Sequence, residues 1–166
     1  MKLIVAVDNK WGIGRDGKLL FNIPSDMKYF KEKTTGKTVI MGRKTLQSFP
    51  NGKPLPNRRN IVLSRQTNLT SYDNLTVINS FDELFKIVDI NHSEDVFLIG
   101  GAEIYNSLLN YCDQLYITKV EADGQADTFL TNIDEHPDYV CSLLGDIKEE
   151  NGYKFRFTVY SRKIHM

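Results

Sequence analysis

The chain is poor in the side chains that build metal centres and nucleophilic triads. Its 166 residues include 2 cysteines and 3 histidines. Cys112 and Cys141 lack the C-x-x-C spacing of zinc and redox sites, and His92, His136 and His165 lie scattered in polar stretches. These residues offer no support for a metal site, a Ser-His-Asp triad or a Cys-His pair. We expect both cysteines to be buried, unpaired thiols.

An excess of charge of one sign is also absent, and so is any long apolar run. Lys plus Arg number 21 and Asp plus Glu number 21, so no overall field attracts nucleic acid or an anionic membrane. The apolar run at 3–7 is too short for a signal peptide, and no segment approaches transmembrane length. We expect a cytoplasmic protein without nucleic-acid or membrane partners, and a monomer, because no exposed apolar stripe is evident.

Strand and helix patterns alternate along a chain that has the length of one domain, residues 1–166. Apolar runs predict strands at 3–7, 38–41, 60–64, 75–78, 95–99 and 115–120. Helices are predicted at 24 to about 33–36, at 43–47, at 80–88 and at 102–109. The alternating stretches 139–144 and 154–160 predict a closing antiparallel pair. The predicted class is α/β: a mostly parallel, twisted central sheet, flanked by helices, that ends in an antiparallel C-terminal hairpin.

The stretch 11–30 joins a glycine-rich loop to a helix. Its three glycines predict a mobile lid that can adopt positive φ. Pro24 suits a first helical turn, and Asp26 lies one turn before Phe30, so one helix face carries a carboxylate among apolar groups. Asp26 either caps its helix and does nothing more, or burial raises its pKa and suits it to acid–base work or to holding a cationic ring.

Three strand ends carry groups that suit an anionic ligand. The run GRKT occupies 42–45, Ser64 and Arg65 end another strand, and Gly100 and Gly101 end a third. Each signal is weak by itself, because paired glycines are more often a tight turn and paired cations more often a solvated surface. The dinucleotide fingerprint G-x-G-x-x-G is absent. Together the three ends predict an α/β protein that binds a phosphorylated ligand near a buried acid.

Seven pieces of the chain, in order and in register, resemble the bacterial form of the dihydrofolate reductase family. They are WGIGRDGKL, IPSDMKYFK, VIMGRKT, KPLPNRRNIVLS, FLIGGAEIY, LYIT and ADTF, and the resemblance spans 3–160. It implies NADPH-dependent reduction of 7,8-dihydrofolate to 5,6,7,8-tetrahydrofolate, with hydride moving from nicotinamide C4 to pterin C6 while N5 gains a proton. It also implies a role in one-carbon metabolism and the binding of antifolate inhibitors.

The resemblance implies a substrate site built around Asp26, matching the family's single active-site carboxylate. Asp26 would hold the pterin 2-amino group and N3 by charge-assisted hydrogen bonds and would raise the proton affinity of N5, with solvent as the proton donor. Thr118 matches the hydroxyl behind that carboxylate, Phe21 lies beside it, and Arg58 matches the arginine that pairs with the substrate's glutamate α-carboxylate. The implied folate-site residues are Ile4, Val5, Ala6, Asp26, Met27, Phe30, Phe49, Leu55, Arg58, Ile99 and Thr118.

The resemblance also implies a cofactor site and a lid. Arg43 with Ser64 or Arg65 would contact the 2′-phosphate and favour NADPH over NADH, and the Gly100–Gly101 peptide is expected to be cis. The implied NADPH residues are Ala6, Ile13, Gly14, Gly42, Arg43, Lys44, Thr45, Leu63, Ser64, Arg65, Ile99, Gly100, Gly101, Ala102, Glu103, Ile104 and Tyr105. The implied lid residues are Gly12, Gly14, Gly17, Leu19 and Asp127, the last of which would steady the closed lid through backbone N–H groups.

The chain departs from the family pattern at three places. Phe21 follows Leu20 where Pro-Trp is usual, so an indole N–H beside the carboxylate is lost. Glu103 stands where a neutral or basic residue is usual, which would weaken NADPH binding unless a cation offsets it, and the loop at 49–52 is one residue longer. Two other readings stay open: a pyrimidine reductase of riboflavin synthesis, which lacks the P-S-D helix and the Arg58 loop, and a non-catalytic nucleotide-binding module.

Overall fold

The computed structural model of the protein describes residues 1–66, 68–89 and 93–163. The strands of this part of the chain are β1 (Lys2–Val7), β2 (Gly12–Gly14), β3 (Thr38–Gly42), β4 (Arg59–Leu63), β5 (Leu75–Ile78), β6 (Val96–Gly100), β7 (Gln114–Val120), β8 (Thr128–Phe129), β9 (Tyr139–Leu144), β10 (Lys148–Glu150) and β11 (Tyr153–Arg162). Its α-helices are α1 (Pro24–Thr34), α2 (Arg43–Ser48), α3 (Phe81–Ile87) and α4 (Ala102–Leu108), with short 3-10 turns at Pro50–Gly52, Leu109–Tyr111 and Ile133–Glu135.

One mixed sheet organises the described chain. Its strand order is β10-β11-β7-β1-β6-β3-β4-β5, and β9 pairs with β11 beyond this path. The six strands from β7 to β5 are mutually parallel, whereas β11 runs antiparallel to β7, β9 and β10. The predicted fold class, including the pairing of 139–144 with the last strand, is therefore confirmed.

The central strands are buried on both faces, which explains their continuous apolar runs. β6 is buried at every position, and neighbouring residues on β3 fall into opposite apolar clusters because side chains alternate across a sheet. We name the clusters after adjacent residues of β1. The Leu3 cluster includes Leu3, Val7, Ile40, Leu98, Leu115 and Ile117. The Ile4 cluster comprises Ile4, Val39, Met41, Leu46, Val62, Phe97 and Ile99.

The helix boundaries follow the local signals in the sequence. α1 begins at Pro24 and ends at Thr34, as predicted from the proline and the apolar spacing. At α3 the Ser80 hydroxyl accepts the Glu83 N–H at 3.1 Å, which is half of the predicted capping box. The Glu83 carboxylate instead accepts the N–H of Asn79 at 3.1 Å, one residue before the expected partner.

The lid segment contains strand pairing that the glycine pattern does not predict. β2 pairs with β8, and neither strand was predicted. A Cβ at Gly12 would lie 2.4 Å from the Ala126 Cβ, and one at Gly14 would lie 2.8 Å from the Thr128 hydroxyl. Of the three lid glycines Gly17 has a positive φ, +73°. Glycine at 12 and 14 therefore permits close strand approach, and the positive φ that the pattern predicts for this segment occurs at Gly17. β10 was also not predicted.

The expectation that both cysteines are buried is correct for one of them. Cys112 is fully buried, whereas Cys141 is exposed. Cys141 lies on β9, which pairs with β11 along one edge, and its residues 140–144 are exposed. The expectation for Cys141 is therefore wrong, because an apolar strand pattern does not show whether another layer covers the strand.

The described histidine has a local structural contact. The Nδ1 atom of His136 accepts the backbone N–H of Asp138 at 3.1 Å, and its ring meets that of Tyr139 edge-on at 4.9 Å. His92 and His165 lie outside the described residues. Residues 1–66, 68–89 and 93–163 contain no group of three or more His, Cys, Asp or Glu side chains arranged to hold a metal ion. None of the helices among them is long and apolar enough to cross a membrane.

Candidate active site

The three predicted anion-binding strand ends meet at one edge of the sheet. β6, β3 and β4 are adjacent and parallel, with Gly42 paired to Leu63 and Met41 paired to Gly100. α2 follows β3 directly, and α4 follows β6 after one residue. Two helix N-termini therefore open at the carboxyl edge of the sheet, which is where open α/β sheets bind ligands.

The Gly100–Gly101 peptide lies between these two helix starts and is cis, as the resemblance implies. A Cβ on Gly100 would lie 3.5 Å from both the Thr45 hydroxyl and the Tyr105 hydroxyl. In the described chain no side chain caps the N-terminus of α2 or of α4, whose N-cap residues are Gly42 and Gly101. The first N–H groups of both helices are therefore available to an anion.

Cations surround this edge. Arg43 is half-buried at the start of α2, its neighbour Lys44 is exposed, and Arg65, two residues after the end of β4, is exposed as well. The Ser64 hydroxyl donates to the Gln66 carbonyl at 3.1 Å and accepts the Gln66 N–H at 3.0 Å, so it shapes the turn that presents Arg65. This donor set fits a phosphorylated ligand such as NADPH.

Asp26 is joined to the centre of the sheet and does not cap its own helix. The Thr118 hydroxyl donates to Asp26 Oδ1 at 2.7 Å, and Thr118 is buried on β7 beside Ala6 of β1. The N-cap position of α1 is Ile23, which has no side-chain capping bond. The reading in which Asp26 serves as a helix cap and nothing more is therefore wrong. One bond to Thr118 still leaves carboxylate lone pairs for a ligand.

Burial governs the electrostatics of Asp26. Desolvation raises the pKa of its carboxyl above the ordinary 3.8, although the hydrogen bond from Thr118 lowers it. The ionised form therefore costs free energy in the folded protein that it does not cost in the unfolded chain. A carboxylate held in this state attracts a proton or a cationic hydrogen-bond donor more strongly than one in water.

We expect Asp26→Asn to unfold at a higher temperature than the wild type near neutral pH. Because the folded-state pKa is raised, the wild type loses stability as pH rises from the unfolded-state pKa through the folded-state one. The amide does not titrate, so the stability advantage of Asp26→Asn should vanish below pH 3.8, where the Asp26 carboxyl of the wild type is protonated in the folded protein and in the unfolded chain alike. Thermal unfolding of the ligand-free proteins across this range measures it, and an equal difference at every pH would contradict it.

An apolar wall extends from Asp26, and the Ile4 cluster forms it. Ile4 and Ile99 belong to this cluster, and Phe30, Phe49 and Leu55 are partly buried against it, so the structure unites five of the predicted folate-site residues. Two predicted members stand apart. Val5 packs on the opposite face, against the Leu3 cluster, and Met27 is 57% exposed. The predicted NADPH residues Ile13, Leu63, Ile104 and Tyr105 also pack with the Leu3 cluster.

Arg58 presents a buried cation at the far end of α1. Arg58 is 8% exposed, its guanidinium carbon lies 5.9 Å from the centre of the Phe30 ring, and its Nη2 donates to the Thr35 hydroxyl at 3.3 Å. Within the described residues its Nε is buried without a hydrogen-bond partner, and burial lowers the pKa of Arg58. Since a buried N–H without a partner is costly, this geometry indicates an anionic ligand group at Arg58.

The lid is held against the segment 121–129. The Asp16 N–H donates to Asp127 Oδ2 at 2.9 Å, and the Asp127 N–H donates to the Gly14 carbonyl at 2.9 Å. Asp127 thus contacts lid backbone in the way the resemblance implies. Leu19 is 77% exposed on the lid, and Phe21 packs edge-on against Tyr153 at 5.0 Å.

Two carboxylates near the site are not singled out by any predicted motif. Glu150 of β10 accepts both the N–H of Ser25, at 2.7 Å, and its hydroxyl, so it caps the helix that carries Asp26. Nothing local to Glu150 signals this contact, because its partner lies 125 residues away. Asp8 follows β1, and its carboxylate accepts the N–H of Gly12 at 2.7 Å. An Asp before a loop glycine is a turn signal that could have drawn attention to it.

Known proteins match nearly the whole chain. A family model described as dihydrofolate reductase matches residues 1–162. The dihydrofolate reductase of Bacillus subtilis (strain 168) is 37% identical over 164 residues, 98% of this chain and 95% of its own length. That of Staphylococcus haemolyticus is 38% identical over 165 residues, with the same coverage. A solved dihydrofolate reductase from Enterococcus faecalis, complexed with NADP(H) and RAB-propyl, has a TM-score of 0.83 and 32% identity, covering 98% of this chain and 96% of that one.

Proposed function

Because the chain belongs to the dihydrofolate reductase family, we propose that it reduces 7,8-dihydrofolate to 5,6,7,8-tetrahydrofolate with NADPH. One observation carries this proposal: a half-buried acid and a buried cation lie at the two ends of α1. Asp26 and Thr35, which contacts Arg58, are nine positions apart, or roughly 13 Å along a helix. The Phe30 ring lies between them and under the guanidinium. A ligand that fits is a flat ring with hydrogen-bond donors, an aromatic middle and a terminal carboxylate.

Asp26 orients the pterin and raises the proton affinity of its N5. The carboxylate accepts hydrogen bonds from the pterin 2-amino group and N3 while Thr118 holds Oδ1 in place. Its negative charge in an apolar wall favours a positively charged ring over a neutral one, so N5 takes a proton from solvent more readily. The protonated ring is the better hydride acceptor.

The cofactor edge places the second reactant. When bound, NADPH supplies the hydride that C6 accepts. The helix N-termini at Gly42 and Gly101 would hold its phosphates through their free N–H groups, and Arg43 and Arg65 would supply positive charge for the 2′-phosphate. The lid between β1 and α1, held by Asp127, excludes water from the space between the two ligands.

The direct test is the loss of reduced-nicotinamide absorbance when dihydrofolate is added to protein and NADPH. We expect turnover that depends on both compounds and is faster with NADPH than with NADH. A non-catalytic nucleotide-binding module would bind NADPH without any such loss, and that result would refute the proposal. Turnover of a pyrimidine substrate of riboflavin synthesis in place of dihydrofolate would do the same.

Glu103 should weaken NADPH binding in this chain. It lies exposed in the first turn of α4, where a negative charge opposes an anion at the same helix N-terminus. We expect Glu103→Gln to lower the NADPH Kd by about threefold at low salt, and by less at high salt, where exposed charges are screened. Fluorescence titration measures this, with Glu149→Gln on β10 as the control. An unchanged Kd at low salt would contradict it.

We further propose that the protein is a cytoplasmic monomer, that residues 1–166 form one domain, and that antifolates bind the Asp26 site in place of the substrate. The solved complex of the relative from Enterococcus faecalis includes RAB-propyl alongside NADP(H), which supports the inhibitor proposal. Sedimentation at micromolar concentration tests the monomer. Competition of an antifolate with dihydrofolate, and its loss in Asp26→Asn, tests the inhibitor site.

A further inference from the structure

We propose that Asp8 is a positioning residue for the lid, and that its buried carboxylate holds the foot of the lid, residues 10–12, against the 121–129 segment. The proposal rests on the proposed function in one respect, because the lid matters for turnover only when it covers the two ligands. Asp8 itself touches neither predicted ligand site through any described contact. It acts through the backbone that it binds.

The Asp8 carboxylate joins two chain segments through three backbone N–H groups. Its Oδ1 accepts from Lys10 at 2.9 Å and from Gly12 at 2.7 Å, and its Oδ2 accepts from Gly124 at 2.9 Å. Asp8 is 4% exposed. A buried carboxylate is costly unless hydrogen bonds replace its water, so these three donors decide where the side chain and both segments can sit.

The two oxygens have different tasks. The bonds from Lys10 and Gly12 to Oδ1 form an ordinary local turn, which many aspartates make. The bond from Gly124 to Oδ2 spans 116 residues and adds nothing to that turn. A turn could be made by one oxygen, so the second bond is the observation that points beyond a local structural role.

Close packing leaves this junction little freedom to adapt. A Cβ at Gly12 would lie 2.9 Å from each Asp8 carboxylate oxygen and 2.4 Å from the Ala126 Cβ. The Asp8 N–H also donates to the Gly12 carbonyl at 3.0 Å. The carboxylate, the lid foot and the 121–129 segment therefore meet in contact, and a shift of one moves the others.

The contacts between the lid and the 121–129 segment start at this junction and continue along the lid. Gly14 pairs with Thr128, and the Asp16 N–H reaches the Asp127 carboxylate at 2.9 Å. On the other side of the lid, a Cβ at Gly124 would lie 2.8 Å from the Leu20 side chain. The residue that accepts the Gly124 N–H thus sets the position of a segment that contacts both ends of the lid.

Asp8→Asn tests the cross-link while sparing the turn. The amide keeps an oxygen for Lys10 and Gly12 but turns an NH₂ group towards the Gly124 N–H, so two donors face each other. The lid has exposed trypsin sites at Arg15 and Lys18, whose cleavage reports opening without any ligand. We expect cleavage there to become about tenfold faster, as for the loss of one charge-assisted hydrogen bond.

The control is Asp123→Asn, in the same segment. Asp123 also reaches the lid foot, through an exposed ion pair with Lys10 at 3.1 Å, so the same substitution there should change cleavage less than about twofold. Exposed Lys148 and Lys154 on β10 and β11 give an internal reference. Unchanged lid cleavage in Asp8→Asn, or an equal rise at the lid and at the reference sites, would overturn the proposal.

A kinetic double-mutant cycle separates positioning from plain stability. If Asp8 acts through lid closure, Asp8→Asn and Asp127→Asn should each slow single-turnover hydride transfer, and the double variant should be little slower than the worse single one. Independent, multiplying losses would overturn the proposal. If Asp8→Asn does not fold, Gly124→Ala, whose methyl group presses on Leu20 on the other side of the lid and so displaces the segment that Asp8 holds, should also speed lid cleavage. Wild-type protein that fails to oxidise NADPH would refute the proposed function. The ligand-free cleavage test would still decide the role of Asp8.

Discussion

Replacing Asp26 with Asn lowers kcat for dihydrofolate near neutral pH by at least about a hundredfold, the range expected when a group that governs proton transfer is lost. The amide has the same shape and still accepts the Thr118 hydroxyl bond, so the apolar wall and α1 should remain in place. What disappears is the negative charge that favours a protonated N5. The loss should therefore shrink as pH falls, because solvent protonates a larger fraction of the ring.

The matched control is Asp82→Asn. Asp82 is also an acidic residue in the first turn of a helix, α3, but it is exposed. It tests whether removing a charge from any helix N-terminus slows the enzyme, and its kcat should stay within about twofold of the wild type. A kcat for Asp26→Asn close to that of Asp82→Asn at neutral pH would refute the assignment of Asp26.

Replacing Arg58 with Leu raises the dihydrofolate KM by at least about thirtyfold, because a buried charge-assisted pair with the substrate carboxylate is lost. The KM for NADPH should change by less than about twofold. The dihydrofolate KM of Arg58→Lys should fall between those of the wild type and Arg58→Leu, since an ammonium cannot match a carboxylate with two parallel N–H bonds. Steady-state kinetics with dihydrofolate and NADPH varied in turn gives both KM values for the wild type and for each variant. Equal effects on both KM values would contradict the substrate role.

Arg59→Leu is the neighbouring control, because Arg59, the next residue and the first of β4, is a cation that is exposed rather than buried. It should leave both KM values near those of the wild type. A dihydropterin substrate without the glutamate tail sharpens the test. Arg58→Leu should have the same KM as the wild type for that truncated substrate. A raised KM would mean that the leucine disturbs the pocket itself.

Much of the architecture was predictable because its signals are local. Continuous apolar runs predict strands buried on both faces, and the pattern at Pro24 and the helical spacing predict α1 nearly to the residue. The strand-end glycines and cations predict a phosphate site because parallel strands must present their carboxyl ends together. The resemblance adds the identity of the reaction, and the family match confirms it.

Local patterns failed where a second segment decides the structure. The lid glycines predict flexibility, yet the close approach of Ala126 and Thr128 requires glycine at 12 and 14. Cys141 has an apolar strand around it but no covering layer, so it is exposed. Hydrophobic periodicity reports which face of a strand is apolar, and it contains no information about which other segment will be packed against it.

The sequence by itself determined the alternation of strands and helices and the carboxylate on the first turn of α1, because each depends on residues fewer than about 18 positions apart. That alternation in turn implies a mostly parallel sheet. The tertiary structure alone decided that Asp26 meets Thr118, that Ser25 meets Glu150 and that Asp8 meets Gly124, across 92, 125 and 116 residues. Contacts at such separation exist because the sheet brings distant segments together, and a carboxylate is buried at low cost only where those segments supply its hydrogen-bond donors.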